Sequence, residues 1–169
     1  EDYNMPFSAK NGIVCKYDKN YNLVWKKFYG GSDVDVLFDI QDIGDGKLLI
    51  WGKTKSQDSD VVNNYPTDLN AWIYIIDTNG NIKHQAIYGG GGGGNTSFNK
   101  LKQGPNGDIY ICGNEYGNTL DFSGNAPFNF HDNAYIACLD KKKKKKWLKF
   151  FITSDDGGYN MTDFEDVPK

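Results

Sequence analysis

One pattern of apolar runs and turns repeats nearly three times along this chain. The stretch Asn11–Asp18 aligns with Asn70–Asp77 and again with Asn133–Asp140, so the closing aspartates lie 59 and then 63 residues apart. A turn and a second apolar run follow each aspartate. Internal similarity at a spacing of tens of residues indicates an array of similar structural units that bury their apolar faces against one another.

Each complete unit contains four strand-like runs, A to D, separated by turns rich in Gly, Asn and Asp. In the first complete unit, runs A to D are Val36–Asp42, Lys47–Trp51, Ala71–Ile76 and Ile82–Tyr88. In the second they are Phe98–Leu101, Asp108–Cys112, Ala134–Leu139 and Lys145–Phe151. A C and a D run precede these units, and the opening of an A run follows them, at Ile13–Tyr17, Leu23–Tyr29 and Met161–Val167.

The C runs are apolar on both faces of the predicted strand. Trp72, Tyr74 and Ile76 alternate with Ile73 and Ile75, and both sets are apolar. A sheet of this kind must be covered on both sides. Face-to-face stacking of four-stranded units, as in a β-propeller, provides that cover. The alternative is a two-sheet sandwich, in which every second residue would be polar.

We therefore predict an all-β fold, a β-propeller segment of four-stranded antiparallel blades with about 60 residues per blade. The predicted divisions are a partial blade, two whole blades and the start of another, at residues 1–31, 32–88, 89–151 and 152–169. Closed propellers use about four to eight blades. We expect the chain to be part of a longer polypeptide or to complete a ring by association.

Composition argues against several classes of partner. The net charge of −3 provides no basic field for nucleic acid or an anionic membrane. No apolar run approaches the roughly 20 residues that span a bilayer. The three cysteines form no CxxC pair, and each falls in a predicted strand, so we interpret Cys15, Cys112 and Cys138 as small buried hydrophobic residues. His84 aligns with Trp25 and Trp147 at a packing position.

Two homopolymer tracts depart from the repeat, six glycines at Gly89–Gly94 and six lysines at Lys141–Lys146. In register, the lysines cover a tight turn and the start of a D run, where Lys145 takes the place of Leu23 and Ile82. Six like charges would repel one another there, and we assign the tract no binding role. The tract suggests that other residues occupy this turn in the natural chain; an intact mass of the purified chain tests that interpretation.

Several stretches together resemble the bacterial SBBP (seven-bladed β-propeller) repeat. They are a strand ending in Gly-x-Thr, an Asp-Phe loop, an apolar run closing on Asp, a Gly-Asn turn and a Trp strand ending in Gly-Gly, at Gly46–Thr54, Leu120–Phe122, Asn133–Asp140, Asn79–Asn81 and Trp25–Gly31. Ile152 and Thr153 depart from it, because Gly-Gly is expected there. The resemblance implies a propeller and a secreted or surface location. It implies no activity.

Aspartates provide the best candidate for a chemical site. In a propeller the D–A and B–C connections share one face, which would gather Asp33 and Asp35 with Asp58 and Asp60. Such a cluster is either a Ca²⁺ site or ligand-facing acidic surface, or a set of solvated loop acids. No Ca²⁺-loop spacing is present, so we expect no cofactor, with calcium as the alternative.

The sequence contains no catalytic motif and favours a non-enzymatic extracellular or cell-surface module that binds a protein or glycan, or further blades of the same assembly. The long B–C connections would carry the binding residues. Tyr65 and Tyr116 are candidate ligand-binding aromatics, or they pack the connections onto the blade. The alternative is a glycan-processing enzyme whose catalytic carboxylates would come largely from other blades, with Asp33, Asp35 and Asp39 as local candidates.

Overall fold

The computed structural model describes residues 11–62, 69–89, 96–116, 121, 132–151 and 163–164. It confirms the all-β prediction, because the described residues form antiparallel sheets of two, four and four strands without a helix. The strands are β1 Gly12–Tyr17, β2 Leu23–Tyr29, β3 Asp35–Asp42, β4 Lys47–Thr54, β5 Asn70–Asp77, β6 Ile82–Tyr88, β7 Thr96–Gln103, β8 Ile109–Tyr116, β9 Asp132–Leu139 and β10 Lys145–Phe150.

Strand order in each sheet follows the chain. β1 pairs with β2, the second sheet has the order β3-β4-β5-β6, and the third has the order β7-β8-β9-β10. Most predicted runs lengthen by one to four residues, because the alternation of apolar residues ends before the backbone pairing does. Most of the predicted run Met161–Val167 lies outside the described residues, and its two described members, Asp163 and Phe164, are not in a strand.

Backbone contacts divide the chain into two compact units. The first comprises Glu1–Pro66 and Trp72–Ile87, and the second comprises Thr67–Ala71 and Tyr88–Lys169. The first unit therefore holds the β1–β2 hairpin together with most of the β3–β6 sheet. The second holds the β7–β10 sheet.

The core of the first unit forms where the β1–β2 hairpin packs on the four-stranded sheet. Its buried members are Tyr29, Ile50, Val61, Trp72, Tyr74 and Ile76. Trp72 stacks on Tyr74 with ring centroids 4.3 Å apart, and Tyr29 lies 5.2 Å from Tyr74. Every residue of β5 from Asn70 to Ile76 is buried, which agrees with the two apolar faces predicted for this run. Val14 and Trp25 pack against this core from the hairpin.

The core of the second unit is built from alternate residues of β7, β8 and β9. Its fully buried members include Phe98, Leu101, Ile109, Ile111, Tyr135, Ala137 and Leu139. Tyr135 meets Phe150 of β10 edge to face, with ring centroids 6.2 Å apart. Burial of apolar side chains in both units supplies the main favourable term in folding.

A β-bulge recurs at the same place in both four-stranded sheets. It lies between Leu37 and Asp39 in β3, and between Phe98 and Lys100 in β7. The partners across the ladder are glycines, Gly52 opposite Leu37 and Gly113 opposite Phe98. A Cβ on Gly52 would lie 1.9 Å from the carbonyl oxygen of Val36, so the close backbone approach at this bulge requires glycine.

The turn after each repeated aspartate has the same geometry three times. In the first, the Oδ1 of Asp18 accepts hydrogen bonds from the backbone N–H groups of Asn20 and Asn22, at 2.8 and 2.9 Å. Asp77 does the same for residues 79 and 81, and Asp140 for residues 142 and 144. The lysine tract thus occupies the aspartate turn that the alignment assigned to it.

Candidate functional site

Two connections of the first unit meet at one edge of its four-stranded sheet. The β2–β3 connection donates hydrogen bonds from Ser32 N to the Oδ1 of Asp58 at 2.7 Å and from Asp33 N to the Oγ of Ser56 at 3.0 Å. In return, Asp60 N donates to the carbonyl oxygen of Gly30 at 3.2 Å. These contacts bring together the residues that we call the acidic edge: Asp33, Asp35, Asp58 and Asp60.

Asp35 lies beneath the acidic edge rather than on its surface. Its side chain is only 2% exposed. Its Oδ1 accepts a hydrogen bond from the Thr54 hydroxyl at 2.5 Å, and its Oδ2 accepts from Gly31 N and the Ser56 hydroxyl, each at 2.8 Å. Burial raises the pKa of this carboxyl, although the three hydrogen bonds oppose the shift. Asp35 therefore ties the β2–β3 connection to β4.

Asp58 and Asp33 are the more accessible members of the acidic edge. Asp58 is exposed, and a Cβ on Gly31 would lie 2.2 Å from its Oδ1, so only glycine allows the connection to come this close. Asp33 is half-buried and accepts a hydrogen bond from Val34 N at 2.7 Å. Its Oδ2 lies 3.9 Å from the Lys55 ammonium, a partly exposed ion pair.

Asp60 joins the acidic edge to the aromatic core. Burial raises the pKa of its carboxyl, and the nearby Lys27 opposes that shift. Burial also raises the pKa of Tyr29 to about 12, with Asp60 contributing. The Tyr74 side chain is fully buried, and its hydroxyl has no hydrogen-bond partner within the described part of the chain. Both tyrosines therefore stay protonated at neutral pH.

The remaining candidates fall outside the acidic edge or outside the described residues. Tyr65 belongs to a stretch that the structure does not describe. Tyr116 ends β8, and its side chain is likewise outside the described set. Asp39 lies in the β3 bulge and its Oδ1 accepts a hydrogen bond from Ile40 N at 2.8 Å. Across residues 11–62, 69–89 and the later described stretches, no group of three or more His, Cys, Asp or Glu is arranged to hold a metal ion.

A second buried hydroxyl–carboxylate pair occupies the same position in the other four-stranded sheet, and sequence reasoning missed it. Asp35 pairs with Thr54 in the β3–β4 ladder, and Thr96 pairs with Glu115 in the β7–β8 ladder. The hydroxyl of Thr96 donates to Glu115 Oε2 at 2.6 Å, and both side chains are fully buried. The carboxylate is on the first strand of the pair in one sheet, Asp35 in β3, and on the second strand in the other, Glu115 in β8. Aligning the repeats pair by pair, rather than strand by strand, would have revealed the exchange.

An open cleft of ≈ 370 Å³ lies in the first unit between the β1–β2 hairpin and the β3–β4 end of the sheet. Apolar side chains dominate its lining, with Lys16 and Asp42 as the charged groups. The lining residues are Val14, Cys15, Lys16, Tyr17, Trp25, Ile40, Asp42, Gly46, Leu48 and Thr78. Its volume lies near the lower end of the range for small-molecule pockets, about 300–1,000 Å³. The sequence does not predict it, because packing of the hairpin on the sheet creates it.

Cysteine and histidine positions correct two expectations. Cys112 and Cys138 are buried as predicted, and burial raises the pKa of the Cys112 thiol to about 11, which makes it unreactive. Cys15 is exposed, so the prediction of burial is wrong there. His84 is also exposed, so the prediction of a packing position is wrong there.

A scan against protein-family models finds no match, and a search of curated proteins finds none either. The described part of the chain contains no helix with the length and apolarity to cross a membrane.

Proposed function

We propose that this chain is a segment of a β-propeller, related to the SBBP repeat, that works as a non-enzymatic binding module outside the cell or at its surface. The observation that carries the proposal is the recurrence of one structural unit. Two meander sheets share the same bulge, the same buried hydroxyl–carboxylate pair and the same aspartate turn. Recurrence of this kind is typical of propeller blades.

The binding surface in this proposal comprises the acidic edge and the long connections between the second and third strands of each four-stranded sheet. In the first unit, hydrogen bonds from Ser32 and Asp33 fix the β2–β3 connection against the start of the β4–β5 connection. A rigid base of this kind holds the longer connecting segments in place for recognition. Tyr65 belongs to one of these segments, and Tyr116 is the last residue of β8, where the other segment begins. In this proposal both rings stack on a sugar ring or an apolar protein surface.

Hydrolysis is the less favoured chemistry because of where the carboxylates lie. Asp35 is 2% exposed and its oxygens are filled by three hydrogen bonds, so a glycosidic oxygen could not reach it without rearrangement. General acid catalysis requires hydrogen-bond contact with the leaving group. Asp33 and Asp39 alone do not provide the buried acid and the base of a glycosidase.

A glycan array probed with the labelled chain tests the binding role. We expect binding to at least one glycan class, reduced at least about tenfold in a Tyr65→Ala, Tyr116→Ala double variant. Tyr21→Ala is the matched control, because Tyr21 is 90% exposed and lies in the β1–β2 turn at the opposite end of the strands. No binding, or equal loss in the control, would contradict the proposal. Release of reducing ends from a bound glycan would favour the enzyme alternative.

A further inference from the structure

The β1–β2 hairpin has one covered face and one exposed face. Val14 and Trp25 point inward and pack against the core of the first unit. On the other face, the side chains of Ile13 and Tyr17 are 51% and 56% exposed, and Cys15 between them is exposed too. The ladder register places Phe28 beside Ile13, which extends this apolar surface onto β2. We call Ile13, Cys15, Tyr17 and the turn at residues 18–22 the outer face of the hairpin.

Equivalent residues elsewhere in the chain are fully buried. Ile13 aligns with Trp72 and Tyr17 with Ile76, and both side chains in β5 are 0% exposed. In the first unit, what covers Trp72 and Ile76 is the β1–β2 hairpin, through Val14, Trp25 and Tyr29. The molecule therefore shows the kind of element that packs on such a face. It is the covered face of a hairpin of the same repeat.

The hairpin also makes specific polar contacts with the aspartate turn beside that face. Trp25 Nε1 donates to the carbonyl oxygen of Thr78 at 3.1 Å. Lys27 Nζ donates to the carbonyl oxygen of Gly80 at 3.2 Å and to the Oδ1 of Asn81 at 3.0 Å. Tyr29 OH donates to the same Gly80 oxygen at 2.8 Å. The turn after Asp77 thus accepts hydrogen bonds from three side chains on one face of β2.

The outer face carries the same acceptors. The turn after Asp18 has the hydrogen bonds of the turn after Asp77, and φ is 64° at Tyr21 and 74° at Gly80. The carbonyl oxygen of Tyr21 and the Oδ1 of Asn22 therefore lie where those of Gly80 and Asn81 lie in the second repeat. The side chains of Tyr21 and Asn22 are exposed.

The matching donor face occurs on β10 in the second unit. Trp147 aligns with Trp25, and Lys149 aligns with Lys27. Trp147 is 38% exposed, Lys149 is exposed, and the neighbouring Phe151, in the place of Tyr29, is 45% exposed. A tryptophan and a lysine with the spacing seen in β2 are therefore available on a hairpin of the same repeat.

We propose that the outer face of the β1–β2 hairpin is a docking surface for the β9–β10 hairpin of a second copy of this chain. Trp147 and Phe151 of that copy cover Ile13 and Tyr17, and Lys149 donates to the turn at Tyr21. The contact continues the hairpin-on-sheet packing already present in the first unit. It joins two different surfaces, so it is heterologous and builds a ring or an open chain. The proposal depends on that packing and not on the binding role proposed above.

Sedimentation velocity over a concentration series of the full chain tests this surface, under reducing conditions that keep Cys15 from forming a disulfide. We expect reversible, concentration-dependent association of the parent chain. Tyr17→Asp and Trp147→Asp should each weaken it at least about tenfold, because each buries a charge in the contact. Val62→Asp is the matched control: Val62 is 70% exposed outside the outer face, and the variant should associate like the parent.

Mixing the two single variants distinguishes a head-to-tail contact from other associations. Each variant keeps one intact surface, so an equimolar mixture should form a dimer although neither variant associates alone. A Trp147→Asp chain that still dimerises by itself would indicate a symmetric contact and overturn the proposal. A monomeric parent chain, or equal loss in Val62→Asp, would overturn it as well.

Thiol reactivity gives a second measurement that does not depend on hydrodynamics. Among the cysteines, only Cys15 is exposed, and it lies in the outer face. Alkylation of Cys15 should therefore slow as the protein concentration rises, and this dependence should vanish in Trp147→Asp. If circular dichroism shows that Tyr17→Asp is unfolded, Ile13→Lys replaces it, since Ile13 is similarly exposed. Concentration-independent alkylation would count against the contact.

Discussion

At the scale of single residues, the third position after each repeated aspartate determines how well its turn forms. This residue has a left-handed backbone in all three turns, with φ of 64° at Tyr21, 74° at Gly80 and 67° at Lys143. Only glycine adopts this region without a steric cost, which is about 1–2 kcal/mol for other residues. The turn therefore has the same backbone geometry at Tyr21 and Lys143, although these residues adopt the left-handed region at a steric cost.

Replacing Tyr21 by glycine should stabilise the protein by up to about 1 kcal/mol, since the exposed ring contributes little and the backbone strain disappears. The reverse change, Gly80→Ala, should destabilise it by more than about 1 kcal/mol, because a Cβ there would also lie 2.9 Å from Lys27 Cδ and Tyr29 OH. Urea unfolding measures both. Lys19→Gly is the control, and a gain there equal to that of Tyr21→Gly would refute the explanation.

The same turns predict part of the acid sensitivity of the fold. Backbone hydrogen bonds, first from Asn81, hold the pKa of Asp77 below its ordinary value of 3.8, and Lys83 adds a hydrogen bond to Oδ2. A lowered pKa in the folded state means stability that is present above the ordinary pKa and is lost as the pH falls toward the folded value.

Asp77→Asn keeps an oxygen that can accept the two backbone hydrogen bonds but removes the titration. We expect a smaller drop in melting temperature between neutral pH and about pH 3 than in the parent chain. Asp45→Asn, which changes an exposed carboxylate in the β3–β4 turn, provides the control. If the melting temperatures of both variants fall on acidification as much as that of the parent chain, protonation of Asp77 does not contribute measurably to the acid sensitivity.

At the scale of secondary-structure elements, each four-stranded sheet joins its first two strands by a buried hydroxyl–carboxylate pair. The pair is Asp35 with Thr54 in one sheet and Thr96 with Glu115 in the other. A buried carboxylate without its hydrogen-bond donors lowers the stability of the fold, so we expect each carboxylate to be stabilising only when its hydroxyl partner is present. The exchange between strands suggests that the interaction matters more than which strand carries the charge.

Transplanting the second arrangement into the first sheet tests this coupling. Asp35→Thr removes the acceptor for three donors, and Thr54→Glu buries a second carboxylate beside the first, so each single change should cost about 2–4 kcal/mol. The double variant should be about 1–3 kcal/mol more stable than the sum of the single changes. Asp35→Thr combined with the distant Asp45→Asn should be additive. Additivity in the transplanted pair would show that the two side chains act independently.

At the scale of the whole molecule, the acidic edge is held together by its own hydrogen bonds. Asp58 accepts from Ser32, Asp35 accepts from Gly31, Thr54 and Ser56, and Asp33 accepts from Val34, so three of the four carboxylates already have hydrogen-bond donors. We therefore expect equal melting temperatures in chelator and in millimolar Ca²⁺. A rise with Ca²⁺ that disappears in Asp33→Asn and Asp58→Asn would instead support the calcium alternative.

The sequence by itself determined the elements. Apolar runs of four to seven residues, separated by turns such as Asp-Gly and Asn-Gly, located the strands, since strand length and turn chemistry are local properties. The three aligned aspartates also predicted three similar turns, because an aspartate that bonds the backbone two and four residues ahead acts within one turn.

Only the tertiary structure decided which residues are covered and which carboxylates accept hydrogen bonds. Cys15 and Tyr74 occupy equivalent places in their strands, yet one is exposed and the other is fully buried, because a hairpin packs on β5 within the first unit. Asp35 resembles a loop acid in sequence but is buried against Thr54 and Ser56, from a different strand and connection. Burial and hydrogen bonding between distant segments depend on packing, which no local pattern encodes.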